Sequence, residues 1–244
     1  MPVVPPEIDL SIVLPAYREA DSLDRLLPAL QRVAGSLAAK VDILVVDSQE
    51  PMDATAAICR RYQVGHIHRT GGNLFGDAVR SGIRSARGKY LLFMDADGSH
   101  NPEAVRLLWG SRDKADVIIG SRYIQGGGTE NPAVLIFLSW IVNIAFRGLL
   151  GLKCRDVSNS LRLYRADDLR SLDLVAKNFD IVEEILIKLM FGTQKRSVLE
   201  VPVVFERRKA GASKRSLVRF AFGYCGTLLR LARFKRQILA QKGS

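Results

Sequence analysis

The chain has 244 residues, 48% of them apolar and 25% charged, a globular composition with room for one substantial core rather than a disordered one. Three scattered cysteines, Cys59, Cys154 and Cys225, form no C-x-x-C pair, which argues against a disulfide framework or a zinc ribbon and fits a reducing compartment. The formal net charge of +11 is localised: from Arg207 onward there are eleven Lys or Arg and no Asp or Glu, and the remaining 25 basic residues equal the 25 acidic ones. A basic tail on a neutral body is a surface for phosphate, nucleic acid or an anionic membrane. No basic stretch leads into an apolar run at the N-terminus, so no secretory signal is expected.

In chain order, Leu10–Pro15 reads as the first buried strand, short, apolar and bounded by polar residues. Leu23, Leu26, Leu27, Leu30, Val33, Ala34 and Leu37 follow at helical spacing, with Pro28 inside the run obscuring where the helix begins. Val41–Asp47 is the second strand and Ala54–Tyr62 the next helix. His66 and His68 alternate along a further strand and, without cysteine partners, read as structural. Helices are predicted over Asp77–Ala86, Pro102–Arg112 and Ile181–Phe191, and strands over Tyr90–Asp95 and Asp116–Ser121. This alternation predicts an α/β fold with a largely parallel sheet.

Two later segments differ. Ala133–Leu150 is almost continuously apolar, broken by Ser139, Asn143 and Arg147, whose spacing of four makes one narrow polar stripe on a helix. Eighteen residues containing an arginine is poor material for a bilayer span. A helix lying in the membrane interface fits better, and a buried core helix is the alternative. Leu217–Ile238 is a basic amphipathic helix, with Leu217, Phe220, Tyr224, Leu228, Leu231 and Ile238 on one side and Arg219, Arg230 and Arg233 opposite.

Ligands of open parallel sheets bind outside the carboxyl ends of the strands, near a switch in strand order. The unusual polar residues collect there: Pro15-Ala16-Tyr17-Arg18-Glu19, then Asp47, then Asp95-Ala96-Asp97, then Gly120-Ser121-Arg122. The strand Tyr90–Met94 runs straight into two carboxylates one residue apart. Such a corner suits Mg²⁺ or Mn²⁺, which takes one or two carboxylates and completes its shell with water and phosphate oxygens. A capped turn leading into the next helix competes with that reading, and Asp47 at a neighbouring strand end favours a nucleotide site. There is no P-loop. The Gly71–Gly76 segment lacks dinucleotide spacing, and no G-x-S-x-G is present.

Together, Leu10–Glu19, Val45-Val46-Asp47, Met94–Pro102, Gly120–Tyr123, Asp156–Arg162 and Phe205–Lys214 resemble the inverting GT-A glycosyltransferases of family 2. Within them they are similar to the polyprenol-phosphate (dolichol-phosphate) mannosyltransferase branch. The resemblance implies a GT-A catalytic domain over 1–214, containing a membrane-interface helix at 133–150, and a basic helix over 215–244. It implies that Pro15, Tyr17, Glu19 and Asp47 hold base and ribose. Asp95 and Asp97 would meet the diphosphate through the metal, with Ala96 between them and Ser99 as a further ligand. Arg122, Arg208 and Lys214 would surround the donor and acceptor phosphates, and Asp97, Arg122 and Arg208 would be the catalytic group. Where many relatives carry two acidic residues this chain has Asp47-Ser48, and their Thr-Ser-Gly-Phe-Arg stretch is Ser158-Asn159-Ser160-Leu161-Arg162 here.

The reaction so implied moves a sugar, mannose first, from a nucleotide diphosphate donor such as GDP-mannose to a polyprenyl phosphate. The protein would be peripheral on the cytoplasmic face of an anionic membrane. A sugar-hydroxyl acceptor is the first alternative; it would need a base such as Asp156 or the Asp180/Glu183/Glu184 cluster, charges otherwise expected on a solvated helix face. A non-enzymatic nucleic-acid binder is the second. It lacks aromatic interleaving and leaves Asp95 and Asp97 unexplained, so no nucleic-acid partner is expected.

Overall fold

The structure, a computed structural model, describes residues 7–192, 194–206 and 217–241. In chain order the elements are β1 (Leu10–Pro15), α1 (Ala20–Gly35), β2 (Val41–Asp47), α2 (Thr55–Arg61), β3 (Gly65–His68), α3 (Phe75–Ser85) and β4 (Tyr90–Phe93). They continue as α4 (Ala104–Gly110), β5 (Val117–Ser121), β6 (Gly128–Thr129), α5 (Ala133–Leu150), β7 (Arg162–Arg165) and α6 (Ala166–Arg170). The last are α7 (Ile181–Phe191), β8 (Val198–Pro202), β9 (Val204–Phe205) and α8 (Leu217–Gln241).

Seven strands form one sheet in the order β3-β2-β1-β4-β7-β5-β8, and β6 pairs with β9 in a two-stranded ribbon. All neighbours in the large sheet are parallel except β7, which runs antiparallel between β4 and β5. The chain winds outward from β1 to β3, then returns to the other side of β1 as β4. The switch in strand order therefore falls between β1 and β4, where α/β sheets open a ligand crevice.

Alternate residues of each strand feed two separate cores. Val13, Val46, Phe93, Ile119 and Tyr164 face one layer, with α3, α6 and α7. Ile12, Leu14, Val45, Leu92, Met94 and Ile118 face the other, with α1, α2 and α4. Burial on both faces is why the central strands read as unbroken apolar runs. Gly82 lets α3 approach β1 closely, since a Cβ there would lie 2.6 Å from Val13 Cγ1.

Most predicted boundaries agree to within two residues, and several differences have physical causes. The strand expected to reach Asp95 ends at Phe93, whose partner Arg162 is the first residue of β7; Met94 N–H still donates to Val13 O, and the chain turns at Ala96-Asp97. Pro28 lies inside α1, which begins at Ala20. A proline at that position cannot donate to the carbonyl of Asp24, and the Tyr62 hydroxyl stands 3.1 Å from that carbonyl in its place.

Helix α5 spans the predicted residues and presents its apolar side outward. Val134, Phe137, Trp140, Ile141, Ile144 and Leu149 are exposed, Phe137 at 58% and Trp140 at 52%, which overturns a fully buried core helix. Within the polar stripe Asn143 turns inward, donating to Ser139 O (2.8 Å) and accepting from Val157 N–H (2.7 Å). Helix α8 packs on α5 and α7, with Leu231 in the core. Arg230, expected on the basic side of this helix, pairs with Asp180 at 2.8 Å. Among the described residues no helix is long and apolar enough to cross a membrane.

Candidate active site

The carboxyl ends of β2, β1 and β4 are adjacent, so the sheet brings Asp47, the Pro15–Glu19 loop and Asp95-Ala96-Asp97 to one edge. Asp95 and Asp97 flank buried Ala96. Gly98 adopts φ 75°, a left-handed conformation that favours glycine. The turn folds Ser99 back so that its N–H (3.0 Å) and hydroxyl (2.5 Å) both donate to Asp97 Oδ1. Asp95 Oδ1 accepts from the Ser160 hydroxyl at 2.8 Å. A serine hydroxyl thus orients each carboxylate, Ser160 from the loop before β7 for Asp95 and Ser99 from the turn itself for Asp97. A carboxylate pair oriented this way is an oxygen donor set that fits a hard divalent ion. Ser99 is fully buried and holds Asp97 in place.

Two residues that the sequence did not single out complete this corner. His100 is buried; its Nδ1 accepts the Asp95 N–H (3.2 Å), so its Nε2–H faces Asn159 Oδ1 (3.0 Å). Asn159 in turn donates to Gly120 O at 2.6 Å. The Ser158–Arg162 loop therefore ties the ends of β4, β5 and β7 together. The Phe205 backbone bridges His100, and Glu206 N–H donates to Ser99 O at 2.8 Å. Arg208 and Lys214, the basic residues that follow, lie outside the described residues.

Arg122 extends from the end of β5 and grips Asp156 with two nitrogens, Nε to Oδ2 at 2.7 Å and Nη2 to Oδ1 at 2.8 Å, while also donating to Ser158 Oγ at 2.9 Å. Asp156 is fully buried and both its oxygens are engaged, so it is no candidate for a general base. The Asp180/Glu183/Glu184 cluster is not a solvated face either. Glu184 accepts from the Val175 and Ala176 N–H groups and pairs with Lys188. Glu183 is fully buried, without a hydrogen-bond partner among the described residues, and burial pushes its carboxyl up to about 8 against the pull of Arg162.

At the other end of the crevice, Tyr17 is exposed and stands 5.9 Å from the guanidinium of Arg69. Glu19 accepts from the Ser22 hydroxyl at 2.9 Å at the start of α1, and Pro15 closes β1. Arg69 is a third residue that sequence reasoning passed over. Buried and lowered in pKa by desolvation, it donates to the carbonyls of Asp47 (2.8 Å), Val46 and Ala16, and to those of Asn73 and Leu74. One side chain thereby fixes the ends of β1 and β2 against the glycine-containing loop before α3. Asp47 is buried; its Oδ1 accepts the Ser48 N–H (2.7 Å), and its Oδ2 is 3.2 Å from His66 Nε2.

Residues 11–173 match the family model of Glycosyl transferase family 2. The chain belongs to that family. Undecaprenyl-phosphate mannosyltransferase of Micrococcus luteus is 34% identical over 220 residues, 84% of this chain and 86% of the relative. Polyprenol monophosphomannose synthase of Mycolicibacterium smegmatis is 33% identical over 219 residues, 84% of this chain and 80% of the relative. Among solved structures, glucosyl-3-phosphoglycerate synthase from Mycobacterium tuberculosis in complex with Mg²⁺ and uridine-diphosphate superposes with a TM-score of 0.71 at 17% identity, covering 92% of this chain and 79% of that one. That likeness concerns the fold. As a family 2 member, the protein is a glycosyltransferase on a GT-A-type α/β framework.

Proposed function

We propose that this glycosyltransferase moves mannose, with inversion, from GDP-mannose to the monophosphate of a polyprenol, working as a peripheral protein on the cytoplasmic face of a membrane. The observation that carries the reading is the acidic corner at the switch point, with Asp95 pinned by Ser160 and Asp97 by Ser99. The activities named for the Micrococcus and Mycolicibacterium relatives support the lipid phosphate and the sugar.

In this reading Tyr17 offers a ring face to the base, with Pro15, Glu19 and Asp47 around base and ribose. Asp95 and Asp97 hold Mg²⁺ or Mn²⁺. The ion supplies charge neutralisation to the departing diphosphate. A phosphate monoester has its second pKa near ~6, so the acceptor is already largely dianionic at neutral pH and needs no protein base. This agrees with the engagement of both Asp156 oxygens by Arg122. The chain's work is to hold two anionic substrates in line. Arg122, bonded to Asp156 and Ser158, lies over the Phe205 ring, and Arg208 follows Glu206, itself bonded to Ser99, by two positions in the chain. Arg208 and Lys214 are assigned to the phosphates on the resemblance. The outward apolar face of α5 and the arginines of α8 support binding at a lipid surface.

The test is release of nucleoside diphosphate by purified protein supplied with GDP-mannose, polyprenyl phosphate and Mg²⁺ or Mn²⁺. Asp95→Asn and Asp97→Asn are each expected to lower turnover by about 100-fold or more, the scale of losing one preorganised electrostatic contact. Both should keep the parent's circular dichroism and melting temperature within a few degrees. Full turnover in either variant would remove the acidic corner from the mechanism.

A further inference from the structure

We propose that Asp47, His66 and His68 form a second metal site, selective for a borderline divalent transition ion such as Zn²⁺ and distinct from the Asp95/Asp97 corner. β2 and β3 pair in parallel with Val45 opposite His66 and Asp47 opposite His68. The two-residue period of a strand then puts all three side chains on one face of the sheet. One ligating atom from each lies within 4.8 Å of the others. Around a tetrahedral Zn²⁺ such atoms are about 3.3 Å apart, so the widest pair would have to close by up to about 1.5 Å as the ion enters.

The hydrogen bonds orient one imidazole and bring the other against the carboxylate. His68 Nδ1 lies 2.7 Å from the Ser48 carbonyl, which demands a proton on Nδ1 and leaves the lone pair on Nε2, as metal-binding imidazoles are commonly held. Asp47 Oδ1 is occupied by the N–H of Ser48, and its Oδ2 accepts from His66 Nε2 at 3.2 Å, a hydrogen bond whose proton the ion would displace. The nearby Arg69 guanidinium donates to five backbone carbonyls, and its charge also acts on Asp47. Two imidazoles and one carboxylate prefer Zn²⁺, Ni²⁺ or Cu²⁺ to Mg²⁺, whereas the oxygen-only corner at Asp95 and Asp97 suits the harder ions. The chain thus holds two centres of opposite preference on one sheet edge. Because Asp47 also belongs to the base and ribose pocket in the functional reading above, on which this consequence rests, the ion and the donor compete for one carboxylate.

The experiment titrates the full chain, with Mg²⁺ saturating, with Zn²⁺ against a chromogenic zinc chelator. One equivalent is expected to bind at micromolar or lower free Zn²⁺. His66→Ala combined with His68→Gln should weaken it by more than the about 10–100-fold that loss of an outer-shell partner costs, while Asp95→Asn leaves it intact. His68→Gln alone, at an exposed position, serves if the double variant does not fold, and is expected to weaken binding about tenfold or more. Unchanged Zn²⁺ binding in the histidine variants, or its loss in Asp95→Asn, overturns the site. Nucleoside diphosphate binding should weaken at least tenfold when Zn²⁺ occupies the parent and stay constant with Zn²⁺ in His68→Gln. If Zn²⁺ binds the histidines and nucleotide affinity does not move, the metal site stands and Asp47 leaves the base pocket.

Discussion

Asp95 and Asp97 share one turn but are oriented by different neighbours, Ser160 from the loop before β7 and Ser99 from the turn itself. Since Ser160 is the only side chain donating to Asp95 among the described residues, Ser160→Ala is expected to loosen one ligand without unfolding the chain. The apparent affinity for Mg²⁺ or Mn²⁺ in a turnover assay should fall by about 10–100-fold, with the rate recovering at high metal. Glu183 supplies a second prediction. Its carboxyl is raised from an ordinary 4.5 to about 8, chiefly by burial. The folded chain therefore keeps a proton that the unfolded chain releases across that window, so this residue lowers stability progressively as pH rises from 4.5 to 8. Glu183→Gln should remove that slope, and melting curves from pH 5 to 9 should show the variant gaining on the parent as pH increases.

At the level of elements, α5 reverses the arrangement usual for a surface helix. Its polar Asn143 serves the interior, capping Val157 N–H, while Phe137 and Trp140 stack outward with ring centroids 6.2 Å apart. An apolar face of this kind is costly in water and favourable at a bilayer surface. Phe137→Ser with Trp140→Ser is expected to weaken sedimentation with vesicles at least tenfold and to slow transfer to long-chain polyprenyl phosphate more than to a short, soluble analogue. Equal vesicle binding by parent and variant would separate α5 from the membrane. Helix α1 makes a different point. Its interior Pro28 is accommodated because Tyr62, from beyond α2, reaches the carbonyl that the proline leaves without a donor.

On the scale of the whole molecule, the formal net charge of +11 lies wholly beyond Glu206, on a tail that follows a formally neutral body, and α8 carries part of it against α5 and α7. Binding to vesicles rich in anionic lipid should therefore fall steeply between about 0.05 and about 0.5 M NaCl, because the Debye length shrinks from about 14 Å to about 4 Å. Binding to neutral vesicles through α5 should change little over the same range. A flat salt response on anionic vesicles would leave the basic tail without a role at the membrane.

The sequence by itself determined the parallel α/β class and the ends of the central strands, because a strand buried on both faces must be an unbroken apolar run, and because Asp95-Ala96-Asp97 stands where such a run stops. Tertiary structure alone decided the rest. β7 is four residues with arginines at both ends, a pattern with no strand period to detect, yet it enters the sheet antiparallel beside the acidic corner. Arg69, His100 and Ser160 act through partners up to 65 positions away, and the convergence of Asp47, His66 and His68 depends on strand register. Local periodicity reports which face of an element is buried. Which side chains meet depends on how the chain closes its loops, and no window of sequence contains that.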